Sequence, residues 1–205
     1  MTTLSLYTGK FGQVRDQVII ESSWLGNYEP YQQHEVSTYI YDMMMATGQS
    51  AMVQQYGLSP FSLNVLDVRR TMCEKILSLV RFSYDADPIT SLRMKIRHLY
   101  DLNQLLLDES INAFFKSTEF ETMLNRVGAD DVEGYRNSNE WLNNAPADAL
   151  IFKEPEATWA QLKSAYSGDF KNLLFGVVPP ESVILNQLIV ISDRLQQIMW
   201  NVHTK

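Results

Sequence analysis

Residues 67–82 read DVRRTMCEKILSLVRF, and the spacing of their apolar positions predicts a helix that begins after Asp67. Asp67 can cap it, because an aspartate side chain accepts hydrogen bonds from first-turn amides. At 100° per residue one side of this helix is apolar: Val68, Met72, Ile76, Leu79 and Val80. Arg70, Glu74 and Arg81 are expected on the opposite side, where opposite charges one turn apart can pair.

Lys75 belongs to neither side of this helix, since it falls between Val68 and Phe82 at the margin of the apolar arc. One interpretation is that its aliphatic stem covers apolar surface while its ammonium reaches solvent. The other is that the ammonium points at an anion in a cleft, because a charge on a flexible stem suits a phosphate group. The residues alone leave both interpretations open.

A second helix is predicted over residues 91–107, after a break at Asp87-Pro88, since the residue before a proline avoids the helical region. Its broad apolar face contains Leu92, Ile96, Leu99, Tyr100, Leu102, Leu106 and Leu107. Asp101 lies on the other side, close to Arg97 and His98. It either forms an exposed ion pair with Arg97, worth about 0.3–0.5 kcal/mol, or faces the same cleft as Lys75.

The first part of the chain has strand character. β-Branched residues predict a strand over 18–25, and clean alternation predicts another over 61–66. Residues 28–34 are predicted to form a loop, and residues 36–47 fit either a helix or a strand. Glu21 lies inside the first strand, either on a solvated face or as one oxygen ligand for Mg²⁺.

The rest of the chain is predicted to be helical, over 109–115, 118–127 and 155–167, with shorter helical stretches at 130–136 and 139–142. Pro155 and Gly168 bound the third of these helices, as proline favours a helix start and glycine an end. A long final helix should follow Pro179-Pro180. A short β-containing start followed by a helical majority predicts an α+β fold.

Composition restricts the function classes. The chain has 205 residues and a formal net charge of −7, which disfavours broad attraction to nucleic-acid phosphates. The single cysteine, Cys73, cannot form an internal disulfide, which fits a reducing compartment. No secretory pattern or membrane-length apolar run is present, so a soluble, cytoplasmic protein is expected. The three histidines, His34, His98 and His203, have no zinc-site spacing.

Three blocks of sequence together carry a family resemblance: FSLNVL at 61–66, RTMCEKILSLVR at 70–81 and RHLYDL at 97–102. They resemble the AbiEii/AbiGii nucleotidyltransferase toxin family, whose motif is a lysine, an arginine further along the chain and, after a variable spacer, an aspartate. Lys75, Arg81 and Asp101 match these places in order. The resemblance extends from about Phe11 to about Trp200, which is nearly the whole chain.

This resemblance implies a polymerase-β-like fold, with a remnant of the β-containing nucleotidyltransferase region at 1–66 and a helical region at 67–205 packed on it. It implies Mg²⁺-dependent transfer of a nucleotide from an NTP to tRNA or another acceptor. It also implies a toxin encoded beside an antitoxin, acting in abortive infection.

The family motif also implies roles for individual residues. Lys75 would hold triphosphate oxygens, Arg81 would support the same region, and Asp101 would orient Lys75 or assist catalysis. Glu21 would be the isolated strand carboxylate that binds metal. A local basic cleft around Arg70, Lys75 and Arg81 could then admit the end of a tRNA.

The chain departs from the family at its start, where no Gly-Ser turn followed by Asp-x-Asp precedes Val18. We therefore expect either the C-terminal portion of a longer enzyme or a natural short form. One strand carboxylate cannot place two metal ions, so little or no transfer is expected from these residues. The alternatives are a catalytically degenerate module that binds nucleotide or protein, and a helical interaction domain whose final helix packs in a dimer.

Overall fold

The structure is a computed structural model that describes residues 29–135, 137–174 and 176–204. For Asp169 it describes the backbone alone. The strand predicted over 18–25, and Glu21 within it, lie outside the described residues. The described chain divides into two compact units, residues 29–68 and the residues from Arg69 onward. Helices predominate beside one small antiparallel sheet, which confirms the α+β fold class.

The smaller unit contains a two-stranded antiparallel sheet. Strand β1 is Tyr31–Val36 and strand β2 is Phe61–Leu66, paired in register from Tyr31 opposite Leu66 to Val36 opposite Phe61. The prediction of β2 is confirmed with the same bounds. The loop predicted over 28–34 is wrong from Tyr31 onward, because the backbone of this polar segment pairs with β2, a non-local partner that its local composition does not indicate.

Two short helices connect these strands: α1, Tyr39–Ala46, and α2, Ser50–Gln55. The segment that fitted either a helix or a strand contains both, since β1 ends at Val36 and α1 begins at Tyr39. Thr38 marks the change, because its hydroxyl accepts a hydrogen bond from the backbone N–H of Tyr41 at 3.1 Å. This is the N-cap interaction that satisfies one first-turn amide. Helix α2 was not predicted.

The larger unit is helical in its described residues. Its α-helices are α3 Val68–Phe82, α4 Pro88–Met94, α5 Ile96–Leu107, α6 Glu109–Lys116, α7 Thr118–Gly134, α8 Leu150–Lys153, α9 Pro155–Ser167 and α10 Glu181–Leu195. The helices predicted over 67–82 and 155–167 and after Pro180 are confirmed. The helix predicted over 91–107 is two helices, because the chain turns at Lys95, and the stretches predicted at 118–127 and 130–136 are one helix.

The core of this unit surrounds α3, whose buried apolar residues are Met72, Cys73, Ile76, Leu77, Leu79 and Val80. These residues do not lie on one side only, so α3 is covered over most of its circumference. The apolar face expected of α10 is buried at Ile184, Leu188, Ile191 and Leu195. Cys73 is free and buried. No helix within the described ranges is long and apolar enough to cross a membrane.

Candidate functional site

Lys75 of α3 and Asp101 of α5 form a salt bridge, with 2.6 Å between Nζ and Oδ2. Their side chains are 20% and 26% exposed, so the pair is partly shielded from water but still accessible. Arg97 Nε is 3.9 Å from the same carboxylate oxygen, and its side chain is 67% exposed. Asp101 therefore pairs primarily with Lys75 across two helices and only loosely with Arg97 along α5.

Core packing places this pair at the edge of the apolar interior. Lys75 is followed in α3 by Ile76, which is fully buried, and Asp101 is followed in α5 by Leu102, which is also fully buried. The backbone position of each charged residue is therefore fixed by the buried residue that follows it in its helix. The ammonium has three N–H donors, and one of them serves Asp101. The remaining donors can bind an anion that approaches from the exposed side.

Further positive charge surrounds the pair. In α5, His98 lies three positions before Asp101, and Lys95 lies three positions before His98, just ahead of the helix, so each residue neighbours the next on the helix surface. The Lys95 ammonium lies 4.8 Å from the ring centroid of Phe82 at the end of α3, a cation–π contact. Among the described residues whose charges act on His98, three cations, Lys75, Lys95 and Arg97, thus accompany one carboxylate, that of Asp101. We call Lys75, Lys95, Arg97, His98 and Asp101 together the Lys75 site.

His98 is a member of this site that sequence reasoning treated as an ordinary histidine. Burial and, to a smaller extent, the charges of Lys75, Lys95 and Arg97 lower the pKa of its imidazole to about 4, against the opposing effect of Asp101. The imidazole is therefore neutral near pH 7. Its Nδ1 is buried and has no hydrogen-bond partner among the described residues. The feature of the sequence that could have indicated His98 as a site residue is its spacing, three residues from both Lys95 and Asp101.

Arg81 lies on a different part of α3. It is six positions after Lys75, which at 100° per residue turns it about 120° away around the helix. Its guanidinium lies 4.4 Å from the ring centroid of Tyr135, just beyond α7, and 4.8 Å from that of Phe82. The structure thus brings Lys75 and Asp101 together but places Arg81 against an aromatic side chain that follows α7.

Arg70 does not belong to an open basic cleft. Its side chain is only 2% exposed, and its guanidinium donates to Glu74 at 2.9 Å and to Asp130 of α7 at 2.7 Å. Burial alone would lower the pKa of Arg70, but the hydrogen bonds to Asp130 and Glu74 raise it. The predicted pairing of Arg70 with Glu74 is present, and Arg70 is in addition buried and bound to Asp130 of α7. A cleft shared by Arg70, Lys75 and Arg81 is not formed.

The described side chains do not fit a Mg²⁺ site. No three histidine, cysteine, aspartate or glutamate side chains within the described ranges lie close enough together to hold a metal ion. The carboxylates of Glu74 and Asp130 are bound to the Arg70 guanidinium. Burial raises the pKa of neighbouring Asp131 to about 6, although Arg81 opposes this effect. The described carboxylates in this region therefore do not form a three-ligand metal cluster.

Comparison with known proteins gives one match. A family model described as "Nucleotidyl transferase AbiEii toxin, Type IV TA system" matches residues 2–185. The matched span includes Glu21, Lys75, Arg81 and Asp101, together with the rest of the Lys75 site. Neither a curated protein nor a solved structure matches the chain.

Proposed function

The chain belongs to the AbiEii nucleotidyltransferase toxin family of type IV toxin–antitoxin systems, and we propose that its Lys75 site binds the triphosphate of an NTP. The observation that supports this proposal is the 2.6 Å Lys75–Asp101 pair accompanied by Lys95 and Arg97. Three cations against one carboxylate leave a local excess of positive charge in a chain whose formal net charge is −7. An acidic protein that concentrates cations at one place can attract a small polyanion there.

Within this proposal Lys75 is the main triphosphate ligand and Asp101 is its positioning partner. The carboxylate accepts one N–H of the ammonium and so limits the rotation of a long, flexible side chain. A positioned donor loses less conformational entropy when it binds phosphate than a free one does. Asp101 is therefore proposed as a positioning residue, because it orients the group that contacts the nucleotide; direct assistance to catalysis is the other role that the family motif implies.

Arg81 keeps a proposed supporting role in nucleotide binding. Its guanidinium is fixed by its aromatic contact with Tyr135 and lies on another face of α3 from Lys75. Arg81 and Lys95 each lie 4.8 Å from the centroid of the Phe82 ring, so Arg81 is near the Lys75 site but outside the Lys75–Asp101 pair. We therefore expect Arg81 to contribute less to affinity than Lys75.

The remaining family properties are proposals of the same kind. We propose tRNA or another nucleic acid as the acceptor, an antitoxin encoded alongside, and the cytoplasm as the location. Mg²⁺ is the proposed cofactor and Glu21 its proposed ligand, but no step is assigned to the metal because the described donors do not fit it.

Nucleotide binding by the Lys75→Met variant tests the proposal. Methionine keeps an unbranched apolar stem at the core margin and removes the charge, so the fold should be retained. We expect Mg–ATP affinity, measured by equilibrium dialysis, to fall at least about tenfold, or about 1.4 kcal/mol. Lys163→Met, at an exposed position of α9, is the matched control and should bind like the unmodified chain. Equal affinity in both variants would overturn the assignment of Lys75.

Nucleotide transfer can be measured separately from nucleotide binding, and it tests the alternative that the chain is a catalytically degenerate binding module. The chain lacks an Asp-x-Asp pair before Val18, and we expect residues 1–205 to bind NTP with little transfer. Incubation with labelled NTP, Mg²⁺ and total tRNA measures incorporation directly. Rapid, Lys75-dependent incorporation would contradict the degenerate-module alternative and show that the metal ligands are present elsewhere in the chain.

A further inference from the structure

His98 occupies the middle of the Lys75 site on α5. Its backbone N–H donates to the carbonyl of Lys95 at 2.8 Å, and Asp101 lies one turn further along the helix. Neither imidazole nitrogen forms a hydrogen bond to another described residue, and Nδ1 is buried. A ring nitrogen that is removed from water without a hydrogen-bond partner costs free energy. The unpartnered, half-buried imidazole of His98 therefore calls for a physical explanation, since it lies next to a proposed ligand site.

Burial and nearby cations together hold this imidazole neutral. The charged groups that face it are Lys75 from α3 and Lys95, Arg97 and Asp101 from its own segment. Burial is the largest effect on its pKa, followed by the charges of Lys75 and Lys95, and only Asp101 acts in the opposite direction. The pKa of His98 therefore includes a contribution from nearby cations that a bound anion would offset.

We propose that His98 takes up a proton when a polyphosphate binds at Lys75, and that the resulting imidazolium is a further phosphate-binding group of the site. This inference rests on the proposed function. The proton comes from solvent and adds to the lone pair of a ring nitrogen, and no bond of the ligand is broken. Phosphate oxygens offset the charges of Lys75, Lys95 and Arg97, which makes a positive imidazole favourable, and they accept its N–H.

The sign of the pH dependence follows from linkage. In the free protein the pKa of His98 is about 4, and in the complex it is higher. Between these two pKa values the imidazole takes up a proton on binding, so the contribution of His98 to polyphosphate affinity increases as pH falls through that range. Above both values the imidazole is neutral in either state and contributes no pH dependence.

Histidine NMR tests this directly, because the chain contains only three histidines. Their imidazole pKa values are measured with and without inorganic triphosphate at matched ionic strength. We expect the His98 pKa to rise by about one unit or more, a tenfold gain in proton affinity, while exposed His34 and His203 stay unchanged. His98→Asn should remove the acid-side gain in triphosphate affinity, and His203→Asn should preserve it.

The outcomes separate this inference from the proposed function. Triphosphate binding that depends on Lys75 but leaves the His98 pKa unchanged would overturn the role of His98 alone. An equal rise at all three histidines would also overturn it, since that indicates a general anion effect. No binding of triphosphate or Mg–ATP by the unmodified chain would contradict the proposed function itself. If His98→Asn fails to fold, His98→Gln and the NMR titration of the unmodified chain provide the same test.

Discussion

At the scale of single residues, the Lys75–Asp101 pair should contribute to stability as well as to a site. Its two side chains are about three-quarters shielded from water, and the separation of 2.6 Å is that of a charge-assisted hydrogen bond. We expect Asp101→Asn to lower the free energy of unfolding by about 1–2 kcal/mol, as measured by urea denaturation. Arg97→Met is the control. If Asp101→Asn loses no more unfolding free energy than this control does, the Lys75–Asp101 pair is effectively solvated.

The ionisation of Asp131 should make the stability of the folded protein depend on pH. Burial raises its pKa in the folded state from 3.8 to about 6, so the folded protein binds this proton more tightly than the unfolded chain does. The stability contribution is therefore fully present below about pH 3.8 and is lost as pH rises through about 6.

We accordingly expect Asp131→Asn, which cannot ionise, to gain stability relative to the unmodified chain as pH rises from about 4 to about 7.5. Thermal unfolding across this range measures the difference, and Asp193→Asn on α10 is the control. A constant difference between Asp131→Asn and the unmodified chain at every pH would contradict the assignment.

The sequence identified some site residues and missed others for a physical reason. Lys75 was recognised because its position at the margin of the apolar arc is a local property of α3, and Asp101 was kept as its possible partner. The burial of Arg70 and the aromatic contact of Arg81 depend on α7 and the residue after it, more than 50 positions away in the chain. The spacing of His98 from Lys95 and Asp101 was a local signal, but its partial burial and the nearby charge of Lys75 on α3 are not local properties.

At the scale of elements, Arg70 joins α3 to α7 through Asp130. Removing a buried guanidinium leaves two carboxylates close together without their cation. We expect Arg70→Met to destabilise the fold by about 3 kcal/mol, measured by urea denaturation with Arg97→Met as the exposed control. A loss below about 1 kcal/mol would mean that the carboxylates are readily rehydrated.

Gly128 fixes how closely the C-terminal residues approach α7. A Cβ added there would lie 2.4 Å from a ring carbon of Trp200 and 3.0 Å from Val202. Alanine normally stabilises a helix by about 1 kcal/mol relative to glycine, but here overpacking should reverse the sign.

We expect Gly128→Ala to cost about 1–3 kcal/mol in the free energy of unfolding, with Trp200→Leu relieving part of the loss. Increased stability in Gly128→Ala would show that the C-terminal residues do not pack against α7.

Most helices were predictable because caps and prolines mark them locally. Pro155 opens α9, and the periodic apolar residues of α10 are buried as expected. Two features were not predictable. Strand β1 forms from a polar segment because β2 offers it hydrogen bonds, and the break at Lys95 interrupts a continuous apolar pattern without glycine or proline.

At the scale of the whole molecule, the acidic net charge should disfavour the binding of an extended polyanion more than the binding of a small one. A net charge of −7 repels an extended polyanion, whereas the Lys75 site can still bind a small one. We expect no binding of random duplex DNA at about 0.15 M salt, and triphosphate affinity that weakens as salt increases. Fluorescence anisotropy and calorimetry measure the two. Submicromolar binding of random duplex at that salt would contradict this expectation.

The central claim is that triphosphate binds at the Lys75 site, and hydrogen exchange with mass spectrometry locates the binding without any substitution. Amide exchange is compared in the free chain and in the chain saturated with Mg–ATP. We predict slower exchange in peptides that cover residues 75–82 and 95–101, and little change in α9 and α10. Protection confined to other segments, with unchanged exchange in these two, would contradict the account.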